Sequence, residues 1–347
     1  MRVLPEGNHS RIARPGRHSV TSRYSATRTL IDGIETVHLV DGARQTEVSI
    51  AIAVGNMAYE LKVGGRNFLW FPFESPAELR EHPKFCGVPY LGPWANRLDS
   101  DTYWVNGKQY TLKPEIANFR RDPHRKPIHG LLNYSPDWTL ISAAADESSA
   151  HATSRLEFGA HPDLMAQFPF AHTITMTHRL AEGVLEVETA LRNQAQEPLP
   201  VAIGYHPYFQ LHDSRRDQWK VHLAARDHLV LSDQLIPTGE RRPVEFSDPH
   251  TLETGPLDDV FGDLIRGADG LARFRVQGQK ERLTVAYGPK YPVAVVYAPT
   301  GQDFICFEPM AAVTNAFNLA HAGIYTELQS VPVDGEWRES FWMEAAT

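Results

Sequence analysis

Cysteine is scarce: Cys86 and Cys306 are the only two in 347 residues. Two thiols so far apart make neither a disulfide framework nor a cysteine-based zinc site, so both read as small, reduced core residues. Long apolar runs are missing as well. No stretch approaches the roughly 18 apolar residues of a membrane-spanning helix. The opening segment, Met1 to Ser22, is polar, with Pro5, Gly7, Pro15 and Gly16 and no apolar centre of a secretory leader. The expectation is a cytoplasmic protein that does not engage a membrane. Basic charge is in deficit: 34 Lys and Arg stand against 42 Asp and Glu, a net charge of −8. Nucleic-acid binding normally needs a clustered basic face, so no such partner is expected. A Gly-x-Ser-x-Gly elbow, a glycine-rich phosphate loop and a His-Glu-x-x-His helix are all absent. His124 and His129 have no third ligand at helical spacing, so the expectation is no metal and no cofactor.

Helical periodicity is sparse too, and what replaces it is a succession of short strands. Thr46 to Gly55 alternates Val48, Ile50 and Ile52, and Met57 to Val63 follows across Gly55-Asn56 as the second arm of a hairpin. Tyr103 to Leu112 turns about Asn106-Gly107, a strong short-range β signal. Thr173 to Ala181 and Val184 to Asn193 form a further hairpin across Glu182-Gly183. Arg66 to Phe71, Arg273 to Val276, Arg282 to Tyr287, Val293 to Ala298, Phe304 to Phe307 and Glu339 to Ala345 add strands. Only Ser75 to Arg80, with proline after serine, starts like a helix. The fold class is therefore all-β, a large sandwich of mainly antiparallel strands in two packed sheets with few short helices. Residues 1–28 read as an extension ahead of the folded part, and 29–347 as one domain without a linker.

Polar groups set in apolar or Gly/Pro-shaped surroundings are the candidates for chemistry. Phe304-Ile305-Cys306-Phe307 reads as a buried strand stopped by Pro309, which leaves Glu308 where the core strand runs out. A carboxylate there is partly desolvated and becomes a better proton acceptor, or else it pairs with a nearby Lys or Arg. Arg97 follows Gly92-Pro93-Trp94-Ala95-Asn96 in a stretch whose glycines and prolines forbid a long regular element. His129 and His206 are each either a satisfied structural histidine or an acid/base group. Trp94, Tyr208 and Phe209 are core aromatics by default, and the alternative is that they face the C–H side of a sugar ring. Asn118 to Lys126 is basic and polar and reads as a solvated surface loop.

Four stretches, taken together and in this order, resemble the aldose 1-epimerase (galactose mutarotase) family. They are Gly87 to Leu98; His129-Gly130-Leu131 with Trp138; His206-Pro207-Tyr208-Phe209; and Phe307-Glu308-Pro309 with Asn315 and Asn318 after it. The resemblance covers about residues 45 to 345 and implies that family's supersandwich fold. It also implies an isomerase that interconverts the α and β anomers of a free aldose. Glu308 would be the general base, His206 the general acid and His129 a second histidine near the reacting oxygens. Arg97 would bind sugar hydroxyls, with Asn96, Tyr208 and Trp94 beside it, and a sugar-binding aspartate falls at Asp258 or its neighbour Asp259. The implied partner is a monosaccharide, bound by a monomer or homodimer. Pro89 and Tyr90-Leu91 stand where many galactose-active members carry an arginine, and the Gly-x-Pro-x-x-x-Pro form is similar to a hexose-6-phosphate epimerase branch. That branch, needing a basic pocket from Arg120, Arg121 and Arg125 or from Arg97, is the nearest rival; a non-catalytic sugar-binding module is the other.

Overall fold

A computed structural model describes residues 22–347. Almost all of the regular structure is antiparallel strand, joined by three six-residue helices among the described residues, Pro76–Glu81, Pro162–Gln167 and Ala316–His321. None of these is long and apolar enough to cross a membrane. The sequence leads one to expect two large sheets, and the described chain has three. A five-stranded meander runs from Tyr24–Ile31 to Arg66–Asn67 in sequence order. A nine-stranded sheet carries the long hairpin His172–Ala181/Val184–Asn193, with Glu336–Ala346 and Arg282–Tyr287 next to it. An eight-stranded sheet has Leu257–Leu264, Val293–Ala298 and Ile305–Met310 as consecutive neighbours.

Turn chemistry explains the hairpins. Asn106 and Gly107 take φ of 51° and 75°, Glu182 and Gly183 take 51° and 79°. Two successive positive φ values give a turn whose twist matches that of the flanking strands. Two expectations shift at the edges. The first strand begins at Tyr24, inside the segment expected to precede the fold; residues 1–21 of that segment lie outside the described residues. Tyr24 is the only buried residue of that edge strand, so no apolar alternation announces it. Arg66 to Phe71 contributes only Arg66–Asn67 as strand, with Leu69 bridging singly to Phe209.

The eight- and nine-stranded sheets pack face to face. Phe307 lies 6.1 Å from Phe274, and Tyr205 lies 4.7 Å from Phe341, ring centre to ring centre. Successive side chains of a strand point to opposite faces, so Phe307 turned into this core sends Glu308 to the other face. Pro309 does not end the strand. Ile305–Met310 runs through it, pairing Ala294 with Pro309 and Val293 with Met310. On its other side the ladder jumps from Cys306, paired with Tyr208, to Met310, paired with Gly204. Over 307–309 the strand has lost one neighbour, and a residue without an N–H is tolerated where a ladder is interrupted.

Candidate active site

Glu308 is thus a mid-strand residue of a central strand, and register decides what surrounds it. Tyr208, Cys306, Tyr297 and Asp258 form one row across four strands, and Glu308, Val295 and Val260 form the row two residues along. All seven share the face away from the sandwich core. Asp259, one residue on from Asp258, points to the opposite face, where its Oδ1 meets His228 Nε2 at 2.9 Å. The pleat therefore separates the two aspartates: Asp258 lines the cleft over this face.

His206 enters from the gap in the ladder. It follows Gly204–Tyr205 and precedes Tyr208–Phe209, and its N–H donates to Pro89 O at 3.1 Å. Its ring stacks on Tyr208 at 4.7 Å and 6°, and its Nε2 stands 3.3 Å from Glu308 Oε1. The other wall is loop. Cys86 to Leu98 is tied on both sides: Tyr208 N–H donates to Gly87 O at 2.8 Å, Leu131 N–H to Gly92 O at 2.7 Å, and His129 N–H to Asn96 O at 2.8 Å. His129 and Gly130 both have positive φ, 63° and 67°. At Gly130 a Cβ would sit 2.2 Å from Gly92 O, so only glycine fits there. His129 holds a conformation that costs a side chain about 1–2 kcal/mol, and its ring ends up 5.3 Å from that of His206 and 5.0 Å from Phe85.

Arg97 completes the cleft. Its Nε donates to Asp122 Oδ2 at 2.6 Å and its Nη1 to Asn96 Oδ1 at 3.0 Å. The backbone turns at Asn96, φ 54°, which aims Asn96 and Arg97 at the cleft. Trp94, two residues earlier, faces the core instead. It is 1 % exposed and pairs with Ala202, so the sequence-predicted sugar contact at Trp94 is a packing residue. The remaining candidates, Asn96, Arg97, His129, His206, Tyr208, Asp258 and Glu308, surround one cleft of about 480 Å³. Phe85, Asp122 and Tyr297 line it too and were not singled out from the sequence.

The electrostatics are those of a dry pocket. Glu308 is 1 % exposed, and its carboxyl is raised well above the ordinary glutamate value, first by burial and then by the negative charge of Asp258, with Arg97 opposing. Burial pushes His206 down to about 3 and His129 well below the ordinary histidine range. The cleft wall raises Asp258, with Arg97 pulling it back. Glu308 Oε2 and the Nδ1 atoms of His129 and His206 are buried without a hydrogen-bond partner. Buried polar atoms are rarely left unpaired, and three in one cleft concentrate unmet hydrogen-bonding capacity there. An acid and a base in contact form a proton-sharing pair, and with the carboxyl raised and the histidine lowered the empty cleft holds that proton on Glu308.

Comparison with known proteins bears on the family and the fold. The family model described as aldose 1-epimerase matches residues 38–343. The uncharacterized protein YihR of Escherichia coli (strain K12) is 22 % identical over 282 residues, covering 78 % of this chain and 86 % of that protein. Human galactose mutarotase is 29 % identical over 213 residues, 59 % of this chain and 55 % of its own length. Among solved structures, a galactose mutarotase-like protein from Clostridium acetobutylicum superposes with a TM-score of 0.82 at 18 % identity, covering 94 % of this chain and 99 % of that one. Galactose 1-epimerase from Lactobacillus acidophilus NCFM gives 0.71 at 15 %, with the same coverage. These two show a shared galactose mutarotase-like fold. With the family match spanning most of its length, the chain belongs to the aldose 1-epimerase family.

Proposed function

We propose that the protein is an isomerase that interconverts the α and β anomers of a free, neutral aldose. The observation that carries this reading is the 3.3 Å contact between His206 Nε2 and Glu308 Oε1 at the floor of a polar-lipped cleft. Anomerisation removes a proton from the C1 hydroxyl and adds one to the ring oxygen, and both oxygens hang from the same carbon. A base and an acid only a few ångströms apart suit that demand. Burial keeps the pair neutral overall, with its one proton resting on Glu308. When a sugar fills the cleft and its hydroxyls meet Arg97 and Asp258, the proton passes to His206. Glu308 then takes the C1 hydroxyl proton while His206 protonates the ring oxygen. The ring opens, the aldehyde turns about C1–C2, and closure on the other face runs the same transfers in reverse. His129, beside His206, donates to or accepts from the reacting oxygens, Tyr297 offers a face to the sugar ring, and Tyr208, stacked on His206, borders the cleft.

A phosphorylated hexose is the weaker reading. The charge of Arg97 is met by Asp122, and Arg121 holds both carboxylate oxygens of Asp101 at 2.7 and 2.8 Å. Arg120 lies over the Phe85 ring in solvent at the rim. The test is polarimetry of freshly dissolved α-glucose, α-galactose and other free aldoses, and of their 6-phosphates, with the spontaneous rate subtracted. Acceleration of at least one free aldose is expected. Sugar binding without any acceleration would replace the enzyme with a binding module, and acceleration confined to the 6-phosphates would replace the substrate.

A further inference from the structure

We infer that Asp122 is a positioning and specificity-determining residue of the cleft: it holds the Arg97 guanidinium in place and cancels its charge, so that Arg97 reads a neutral hydroxyl instead of capturing an anion. This rests on the proposed reaction only for its kinetic readout. The sequence places Asp122 in a run of basic residues, where it looks like one more solvated charge. In the fold its side chain is 1 % exposed and that of Arg97 14 %. Both of its oxygens are engaged, Oδ2 by Arg97 Nε at 2.6 Å and Oδ1 by Lys126 N–H at 2.8 Å. The loop is built around it. Asp122 N–H donates to Lys126 O, Arg125 N–H donates to Asp122 O, and the short ribbon Arg120–Arg121/Pro127–Ile128 leads straight into His129. One residue thus ties the cation of the cleft to the segment that carries one of its histidines.

The chemistry follows from the shape of guanidinium. It has five N–H donors in a planar fork, and a fork with two free parallel donors is a strong site for phosphate or carboxylate. Asp122 occupies the Nε edge and Asn96 takes a donor from Nη1. Three donors remain, one on Nη1 and two on Nη2, held in place on a group whose charge is already met, so they suit a hydroxyl better than an oxyanion. An arginine left uncompensated at this depth would act as an anion trap, and cellular phosphate would compete with sugar.

The test is Asp122→Asn in the full chain, with inorganic phosphate as probe. Phosphate is titrated by calorimetry, and kcat and KM for the best free aldose are measured with and without phosphate. Losing one charge-assisted contact predicts a KM raised about tenfold with kcat little changed, because a hydroxyl contact is made in ground and transition states alike. Phosphate affinity should rise about tenfold over the wild type, and Arg97→Met in the same background should abolish that gain. A merely structural salt bridge would lower thermal stability without creating phosphate binding. Asp122→Asn with wild-type KM, or with no gain in phosphate affinity, overturns the inference. If that variant does not fold, Asp122→Glu keeps the charge but displaces the carboxylate; it should raise KM without phosphate inhibition, and an unchanged KM overturns the inference equally. Phosphate calorimetry needs no turnover. A wild type that fails to accelerate mutarotation would therefore sink the proposed reaction and leave Asp122 to be judged on its own.

Discussion

Glu308→Gln separates catalysis from folding more cleanly than most active-site substitutions, and the structure says why. The carboxyl is 1 % exposed, its Oε2 has no partner, and burial together with Asp258 holds it well above the ordinary glutamate value. A raised acid binds its proton more tightly in the native state than in the unfolded chain. Its contribution to stability is therefore fully present below the unfolded value and is lost as pH rises through the folded one. Near neutral pH the unfolded glutamate is ionised whereas Glu308 is held as the neutral acid, which lowers stability, and the neutral amide, equal in volume, removes that cost. The melting temperature at pH 7 should accordingly stay level or rise. Activity should not survive: a positioned general base contributes about 10²- to 10⁴-fold, so kcat for anomerisation should fall by at least about 100-fold while KM stays within a few-fold. Polarimetry of α-glucose and α-galactose, with the spontaneous rate subtracted, reads the first effect and calorimetric melting the second. A loss of less than about tenfold with an intact fold would show that Glu308 does not take the anomeric proton.

The two adjacent aspartates offer a paired comparison. Asp258 raises Glu308, which carries the pair's resting proton, so Asp258→Asn should move the basic limb of the kcat/KM profile to lower pH and raise KM; Asp259→Asn, whose carboxylate meets His228 at 2.9 Å on the opposite face, should change both far less. An unmoved limb in Asp258→Asn would refute the coupling. His172 and His178 are buried and pushed down to about 4. Unfolded histidine binds more protons than these do between pH 4 and 6.5, so stability should fall as pH drops below about 6.5, by about 1.4 kcal/mol for each at pH 5.5. Urea midpoints at pH 7 and 5.5 measure this, and the drop should shrink in His178→Gln. At Gly130, φ 67° and the 2.2 Å approach to Gly92 O predict that Gly130→Ala costs about 2–4 kcal/mol and disturbs His129. Gly33→Ala, at φ 78° with open space around it, should cost only about 1 kcal/mol; equal melting temperatures for the two variants would refute the argument from close approach.

What was legible in the sequence was local. Asn106-Gly107 and Glu182-Gly183 carry their turn geometry in their own residues, so those hairpins could be read without knowing what packs on them. Glu308, His206, His129 and Arg97 drew notice as polar groups in apolar or Gly/Pro-shaped stretches, but only the family resemblance gave them and Asp258 expected roles. What escaped was decided by partners far along the chain. Pro309 looks like a stop until one sees that its strand has lost a neighbour just there. The strand from Tyr24 is an exposed edge and has no apolar pattern to read. Trp94 and Tyr297 are both aromatics in apolar surroundings, and only register puts Tyr297 in the cleft and the turn at Asn96 puts Trp94 in the core. Asp122 was hidden by its basic neighbours, since loop composition says nothing of which single side chain turns inward.

The groups around the cleft come from Arg97, His129, His206, Asp258 and Glu308, each held by a different segment and several by hydrogen bonds to one another's segments. No contiguous piece of chain contains an acid, a base and the cation together. Half-formed protein therefore has no half-formed site, and pairing of such distant segments is the slow part of assembling a chain rich in long-range contacts. Recovered turnover during refolding should lag burial of the core tryptophans and coincide with the last step of consolidation. Turnover would then serve as a probe of completed folding, reporting when every one of these segments has docked.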